Sequence, residues 1–106
     1  MKLNNIVKKL KINGFVESDF LSRMVHPKNA CFVVERYYYN ECDWIKIGDR
    51  LNCASLPVSS ISSFMIYPVS DGIRFEIKLS NIDIEMHLFC EFEFSDFDWL
   101  KVYEEE

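Results

Sequence analysis

His87 is the histidine with the closest acidic neighbours on a predicted strand, because Glu85 lies two residues before it and Glu91 four residues after it. Histidine and glutamate are the usual side chains of general acid–base catalysis. That chemistry needs a cleft and a positioned partner, whereas alternate residues of a strand only share one face of a sheet. The sequence also contains no Gly-rich phosphate loop, no G-x-S-x-G and no H-E-x-x-H. We therefore expect no enzymatic activity.

The four cysteines show no metal-binding pattern. They are Cys31, Cys42, Cys53 and Cys90. No C-x-x-C pair occurs, and neither His26 nor His87 forms a zinc-ligand pattern with them. The N-terminal segment lacks the apolar stretch and cleavage site of a signal peptide, so a reducing cytoplasm is the expected compartment. We expect free thiols, buried above all at Cys31 and Cys90, and no bound metal or other cofactor.

Carboxylates are concentrated at the C-terminal end. Residues 83–106 hold nine acidic side chains and one basic one, whereas the preceding residues hold eight acidic and eleven basic ones. The formal net charge of −5 therefore arises entirely in this segment. Surfaces usually intersperse both signs, so a one-signed segment predicts a binding surface for a basic protein. The acidic balance argues against nucleic acid as a ligand, because phosphate binding needs a cationic surface.

The predicted partner-binding residues combine carboxylates with aromatic rings. Residues 95–99 interleave acidic side chains with large rings, and residues 36–39 place tyrosines on both faces of a predicted strand. Tyr, Trp and Arg dominate the hot spots of protein interfaces. For Trp99, a place in the hydrophobic core is the alternative. The predicted partner-binding residues are Asp83, Glu85, Glu91, Glu93, Asp96, Asp98, Trp99, Tyr37 and Tyr39.

The elements that position these residues begin with an N-terminal amphipathic helix. Its apolar stripe follows helical spacing and consists of Leu3, Ile6, Val7 and Leu10. Asn13 and Gly14 predict the end of this helix. A second short helix over residues 18–25, ended by Pro27, competes with an extended segment at the same place. No apolar run approaches the roughly 20 residues that span a bilayer, and we expect no membrane partner.

Strand-forming residues follow the helical segments. Residues 31–39 and 44–47 are rich in Val, Ile and aromatic side chains and predict two strands. Residues 50–60, with Pro57 and several serines, predict a loop. Residues 97–103 are compatible with either a strand or a helix.

Two turns predict the register of the last strands. Residues 71–72, Asp-Gly, are a strong hairpin signal and would pair Ile66 with Ile77. Residues 80–81, Ser-Asn, are a weaker signal and would pair Ile77 with Ile84. Both turns place the same apolar side chains on one face, and a one-residue slip would bury the polar ones. The predicted inward set is Phe64, Ile66, Phe75, Ile77, Leu79, Ile82, Ile84 and Met86.

Apolar and polar residues alternate over residues 82–94, which predicts one long strand. In the predicted register Lys78 faces Asp83 as a favourable cross-strand pair. Phe89 interrupts the polar set, which predicts a bend or bulge near residues 87–90.

The predicted fold class is α+β, with one or two N-terminal helices packed on an antiparallel β-meander in a single domain, residues 1–106. In size, acidity and lack of a catalytic motif or export signal, the chain is similar to bacterial immunity proteins. The similarity covers this general character rather than an aligned segment. It implies stoichiometric binding to a toxin domain, for example a nuclease, whose basic active site would be masked. The alternatives are a phage-type inhibitor or nucleic-acid mimic, and a structural, oligomer-forming subunit.

Overall fold

The N-terminal helix forms where the apolar spacing predicts it. In the computed structural model, which describes residues 1–18 and 22–92, helix α1 spans Leu3–Ile12. Ile6 and Leu10 are fully buried, and Leu3 and Val7 pack against the core beside them. The apolar stripe therefore fixes which side of the helix faces the sheets.

The end of α1 is a Schellman motif, as the Asn-Gly pair predicts. The N–H of Gly14 donates to the carbonyl of Lys11, and the N–H of Phe15 donates to that of Leu10. Gly14 adopts a φ of 92°, a left-handed conformation that costs glycine little. The motif satisfies carbonyls that the helix leaves unpaired and turns the chain so that Phe15 enters the core.

Within the described residues, eight strands follow α1 and form two antiparallel sheets. The five-stranded sheet has the order β1-β2-β3-β4-β5, with β1 (Val16–Glu17), β2 (Arg23–His26), β3 (Asn29–Tyr39), β4 (Cys42–Gly48) and β5 (Cys53–Pro57). A short 3-10 helix, Val58–Ser60, leads into the three-stranded sheet, with β6 (Ile61–Val69), β7 (Gly72–Leu79) and β8 (Glu85–Glu91). The fold is α+β, with each strand paired to its neighbour in the chain within each sheet.

The inner faces of both sheets share one hydrophobic core with α1. Its largest fully buried side chains include Phe15, Phe32, Phe64, Phe75, Ile45, Ile47 and Ile77. Phe32 of the five-stranded sheet stacks on Phe75 of the three-stranded sheet at a centroid distance of 5.3 Å. Burial of such a side chain contributes about 1.5–3 kcal/mol relative to an exposed one. We call the opposite side of each sheet its outer face.

Helix α1 also covers the exposed edge of β6. Lys9 Nζ donates to the carbonyl of Phe64 at 2.6 Å, and Asn13 Nδ2 donates to that of Ile66 at 3.5 Å. β6 is an edge strand, and unpaired edge carbonyls would otherwise be open to pairing with another chain. Polar side chains of the helix thus form hydrogen bonds with two backbone carbonyls at this edge of the sheet.

A buried histidine joins the end of α1 to the β2–β3 turn. The Lys28 N–H donates to His26 Nδ1 at 3.1 Å, and the ring also hydrogen-bonds the backbone of Asn13. The ring packs against Phe15 and Phe92 at centroid distances of 5.3 and 4.7 Å. Burial lowers the pKa of His26 below its ordinary value, and the hydrogen bond to Asn13 opposes that effect.

Two segments differ from the sequence prediction. Residues 23–26 form strand β2 rather than part of a second helix, so the extended alternative holds for the described part of this segment. Met24 is buried against the core, and cross-strand pairing with β3 outweighs a short local helical pattern. The predicted loop at residues 50–60 contains strand β5, which pairs with β4. Pro57 is tolerated there because it ends an edge strand.

The registers of both later hairpins are two residues away from the prediction. Ile77 pairs with Phe64 rather than Ile66, and on the other side with Met86 rather than Ile84. Residues 70–71 form the first turn, and the second connection is a five-residue loop, 80–84. A shift of two residues leaves each strand residue on its predicted face, so alternation alone cannot detect it.

The longer second loop has further consequences. Ile82 and Ile84, predicted to face the core, are 53% and 57% exposed. Lys78 pairs with Glu85 rather than Asp83, so the favourable cross-strand pair exists with a different partner. Strand β8 begins at Glu85, not at residue 82.

Phe89 lies in a regular stretch of strand β8. The pairing with β7 continues without a register shift from residue 85 to residue 91, so the predicted bulge is wrong. Phe89 instead pairs with Arg74 on the outer face, where the guanidinium carbon lies 5.1 Å from the ring centroid. A cation over an aromatic face accounts for the ring without any backbone irregularity.

No helix in the described part of the chain has the length and apolar character needed to cross a membrane.

Candidate protein-binding surfaces

The outer face of the three-stranded sheet carries two of the predicted partner-binding carboxylates. Glu85 and Glu91 lie on β8 there and are exposed, and Asp83 lies in the loop that precedes the strand. Lys78 pairs with Glu85 across the sheet, and Arg74, four residues earlier on β7, pairs with Phe89. Both signs of charge therefore occur on the described part of this face.

A chain of polar contacts crosses the same outer face. Tyr67 donates its hydroxyl to Glu76 Oε1 at 2.8 Å, which raises the pKa of Tyr67 because a phenolate beside a carboxylate is unfavourable. His87 Nδ1 lies 4.0 Å from Glu76 Oε1, and His87 Nε2 lies 3.9 Å from Glu85 Oε2. These side chains stand on an open sheet face where water reaches His87, so their arrangement suits a polar contact surface.

Three aromatic rings gather on the outer face of the five-stranded sheet. Tyr37 and Trp44 are paired across β3 and β4, with centroids 6.1 Å apart and ring planes at 19°. Tyr39 meets Trp44 edge-on at 6.1 Å and 73°. We call Tyr37, Tyr39 and Trp44 the aromatic platform. Tyr39 is 64% exposed, so the platform presents ring surface to solvent.

The β3–β4 turn fixes the geometry of the aromatic platform. Asn40 and Glu41 have φ values of 52° and 63°, as a two-residue type I′ turn requires. Trp44 Nε1 donates to the carbonyl of Tyr39 at 3.1 Å. The indole N–H is thus already used within the hairpin, and the ring itself contacts Tyr37 and Tyr39.

The hairpin around the platform carries charges of both signs. Glu41 is exposed in its turn, and Lys46 pairs with Glu35 on the same face as the rings. Asp43 pairs with Tyr38 and lies on the opposite side. Tyr38 belongs to the opposite side of the strand, because its neighbours Tyr37 and Tyr39 both point to the outer face.

The other end of the same outer face holds a groove of about 890 Å³, lined in part by small residues that include Cys31, Gly48 and Cys53. Gly48 has a φ of 137°, and a Cβ there would meet the Asn52 carbonyl oxygen, so only glycine fits. Arg23, Lys46, Arg50, Glu35 and Asp49 also line the groove, so its charges have both signs.

The cysteines divide between surface and core. Cys90 is buried as predicted, but Cys31 is exposed, because it falls on the outer side of β3. Cys53 is also exposed, and none of the four cysteines forms a disulfide within the described residues. Within residues 1–18 and 22–92, no three His, Cys, Asp or Glu side chains are arranged to hold a metal ion.

The structure separates the predicted partner-binding residues into two groups. Tyr37 and Tyr39 lie on the outer face of the five-stranded sheet, whereas Glu85 and Glu91 lie on that of the three-stranded sheet. The inner faces share one core, so the two outer faces point in different directions. Asp83 lies in the loop before β8. The remaining predicted residues lie outside the described part of the chain; they are Glu93, Asp96, Asp98 and Trp99.

Sequence reasoning missed Trp44 as a member of the surface. Its position opposite Tyr37 follows from the two-residue turn at residues 40–41, which the sequence could have indicated through the turn preference of Asn40. A comparison of the chain with protein-family models, curated proteins and solved structures finds no match.

Proposed function

We propose that this chain is a protein-binding inhibitor of the immunity type, which neutralises a cognate bacterial toxin in the cytoplasm. The observation that supports the proposal best is the concentration of nine carboxylates in residues 83–106. Within the described residues, Glu85 and Glu91 place two of them on an exposed sheet face. A rigid sheet that displays carboxylates offers a complement to a basic active site.

In the proposed mechanism the inhibitor acts by occupation rather than by chemistry. Carboxylates approach the cationic residues of the toxin, and the long-range attraction between the two surfaces raises the association rate. Once bound, the inhibitor excludes the toxin's substrate from the cationic residues that it needs. Exposed aromatic rings then contribute the buried contacts that slow dissociation.

The first test pairs the chain with the product of each adjacent reading frame. Co-expression should relieve the growth inhibition caused by one such product, and the purified pair should form a stoichiometric complex. Binding to several unrelated nucleic-acid-binding proteins would instead indicate a nucleic-acid mimic. Self-association without any partner would indicate a structural subunit.

The first prediction concerns Glu91, whose side chain is exposed at the end of β8. Glu91→Lys should lower the association rate with the partner about tenfold, because a partner cation would then meet a like charge. Surface plasmon resonance at physiological salt measures this effect. Glu91 is preferable to Glu85 here, because a lysine at position 85 would stand opposite Lys78 and disturb the fold.

Glu17→Lys is the matched control for this prediction. It changes the net charge by the same amount, and Glu17 is an exposed residue of β1, on the other sheet. Its ion pair with Lys11 is long, at 3.8 Å, and both groups are exposed, so stability should hardly change. Equal losses in the two variants would mean that net charge alone matters and would contradict an acidic binding surface.

A further inference from the structure

We propose that the edge of β5 that faces away from β4 is an interface at which two copies of this chain pair as antiparallel strands. The pairing would join their five-stranded sheets into one continuous sheet. The proposal goes beyond the proposed function and does not rest on it, because it uses the backbone of β5 and none of the carboxylates assigned to toxin binding.

The edge strands of the two sheets differ in how they are protected from pairing with another chain. Proteins usually keep such edges short, charge them or cover them. Strand β1 has two residues, β8 carries charged side chains that include Glu85 and Glu91, and α1 covers β6. Strand β5 has five residues and no charged side chain, and within the described residues it pairs with β4 alone. It is therefore the least protected of the described edges.

The pairing with β4 determines which backbone groups of β5 point away from the sheet. Hydrogen-bonded and non-hydrogen-bonded residue pairs alternate along an antiparallel ladder. The Asp49 N–H donates to the Asn52 carbonyl next to the turn, which fixes the alternation. Cys53, Ser55 and Pro57 then occupy non-hydrogen-bonded positions opposite β4, so their backbone groups point outward. Pro57 suits such a position because it has no N–H.

Four outward groups of β5 make no hydrogen bond within the described residues. They are the N–H and C=O of Cys53 and the N–H and C=O of Ser55. The outward carbonyl of Pro57 accepts the Ser60 hydroxyl at 2.7 Å, so the open part of the edge ends there. Both Cys53 and Ser55 are exposed, which leaves these four groups accessible to a second strand.

The four groups are complementary to their own copies. In a two-fold arrangement centred on Ala54, Cys53 of each copy faces Ser55 of the other, and each such pair exchanges two hydrogen bonds. Every one of the four outward groups is then paired. A register shifted by two residues in one direction would instead set Cys53 opposite Pro57, which has no N–H to donate.

The side chains of β5 favour a second copy as the occupant. Ala54 would face its own counterpart in a non-hydrogen-bonded pair, where the Cα atoms lie about 4.5 Å apart and a methyl group fits. Because β5 carries no charge, self-pairing sets no like charges opposite each other. The same register brings Leu51, which is 90% exposed, towards Pro57 of the second copy, so apolar surface is buried as well.

The test is the oligomeric state of the full chain, measured by sedimentation velocity under reducing conditions from about 1 to 500 µM. We expect a monomer–dimer equilibrium without larger species, because an isologous contact uses up the β5 edge of both copies. Ser55→Pro removes an outward N–H that β4 does not use. It should raise the dissociation constant of the dimer at least tenfold, while the free energy of unfolding at low concentration stays nearly unchanged.

A cross-link tests the register separately. In a variant whose cysteines other than the buried Cys90 are replaced by serine, Ala54→Cys should form an intermolecular disulfide under mild oxidation, because a Cα spacing of about 4.5 Å permits one. Ser70→Cys in the same background is the matched control, since Ser70 is exposed in the turn between β6 and β7 of the other sheet. It should cross-link much more slowly.

Three results would overturn the proposal. They are a chain that stays monomeric up to about 500 µM, a Ser55→Pro variant that dimerises as readily as the unchanged chain, and equal cross-linking of Ala54→Cys and Ser70→Cys. A monomeric chain that inhibits a neighbouring gene product would overturn the dimer alone. A dimer that inhibits no such product would leave this proposal standing and overturn the inhibitor proposal.

Discussion

The protonation state of the buried His26 ring affects the stability of the folded protein. Its Nδ1 atom accepts the Lys28 N–H, and a protonated ring would present a second donor there instead of an acceptor. Burial among aromatic rings acts in the same direction and lowers the pKa of His26. The folded protein therefore favours the neutral imidazole.

This coupling predicts a stability that depends on pH. Because the folded pKa is depressed, the unfolded chain binds the proton more readily, and the free energy of unfolding should fall as pH decreases below about 6.5. Urea unfolding at pH 7.5, 6.5 and 5.5 measures the effect. The His26→Gln variant should be less stable than the unchanged protein at pH 7.5. Its free energy of unfolding should change less between pH 7.5 and 5.5, because the contribution of His26 is gone.

A dependence on pH that is the same in His26→Gln as in the unchanged protein would contradict the assignment to His26.

At the scale of elements, the β3–β4 hairpin is the part of the fold on which the platform depends. Tyr39 pairs with Cys42 next to the turn. The same register, two residues further along each strand, pairs Tyr37 with Trp44. The turn residues Asn40 and Glu41 both have positive φ values, which asparagine tolerates better than glutamate. The hairpin therefore contains a strained residue, Glu41, next to the aromatic platform.

We predict that Glu41→Gly stabilises the protein by about 0.5–1 kcal/mol, because glycine adopts the left-handed conformation without strain. Chemical denaturation gives the change in the free energy of unfolding. Asp71→Gly is the comparison, since Asp71 also lies in a two-residue turn but does not have a positive φ. It should give no stabilisation, and a similar gain in both variants would contradict the conformational explanation.

At the scale of the whole molecule, the described carboxylates of the acidic segment and the aromatic platform lie on different sheets. Glu85 and Glu91 lie on the three-stranded sheet, whereas the platform lies on the five-stranded sheet. Exposed charges act over a Debye length of about 8 Å at physiological salt, so the carboxylates influence the approach of a partner before contact. Ring contacts act only after the surfaces meet.

Salt should therefore separate the two contributions. Between 50 and 500 mM salt, the association rate with the partner should fall at least tenfold, and the deficit of Glu91→Lys should shrink. The faster dissociation expected for Tyr39→Ala should persist at high salt, because burial of a ring is not screened. Stopped-flow measurement of both rates provides the comparison, and a salt-independent association rate would contradict the role of the acidic segment.

The sequence by itself determined helix α1 and the inward faces of strands β6 and β7. Helical spacing located α1, Asn13 and Gly14 located its end, and period-two alternation placed Phe75 and Ile77 inward. These signals depend on neighbouring residues along the chain, so they can be detected without knowledge of the fold. The excess of acidic side chains in residues 83–106 can likewise be counted without knowledge of the fold.

Only the tertiary structure decided the pairings between strands. A shift of two residues preserves every face, so the true partners of Ile77 depend on the lengths of two loops. Strands β2 and β5 gain their stability from neighbours rather than from their own composition. The aromatic platform arises in the same way, because Trp44 reaches Tyr37 only when the β3–β4 register is set.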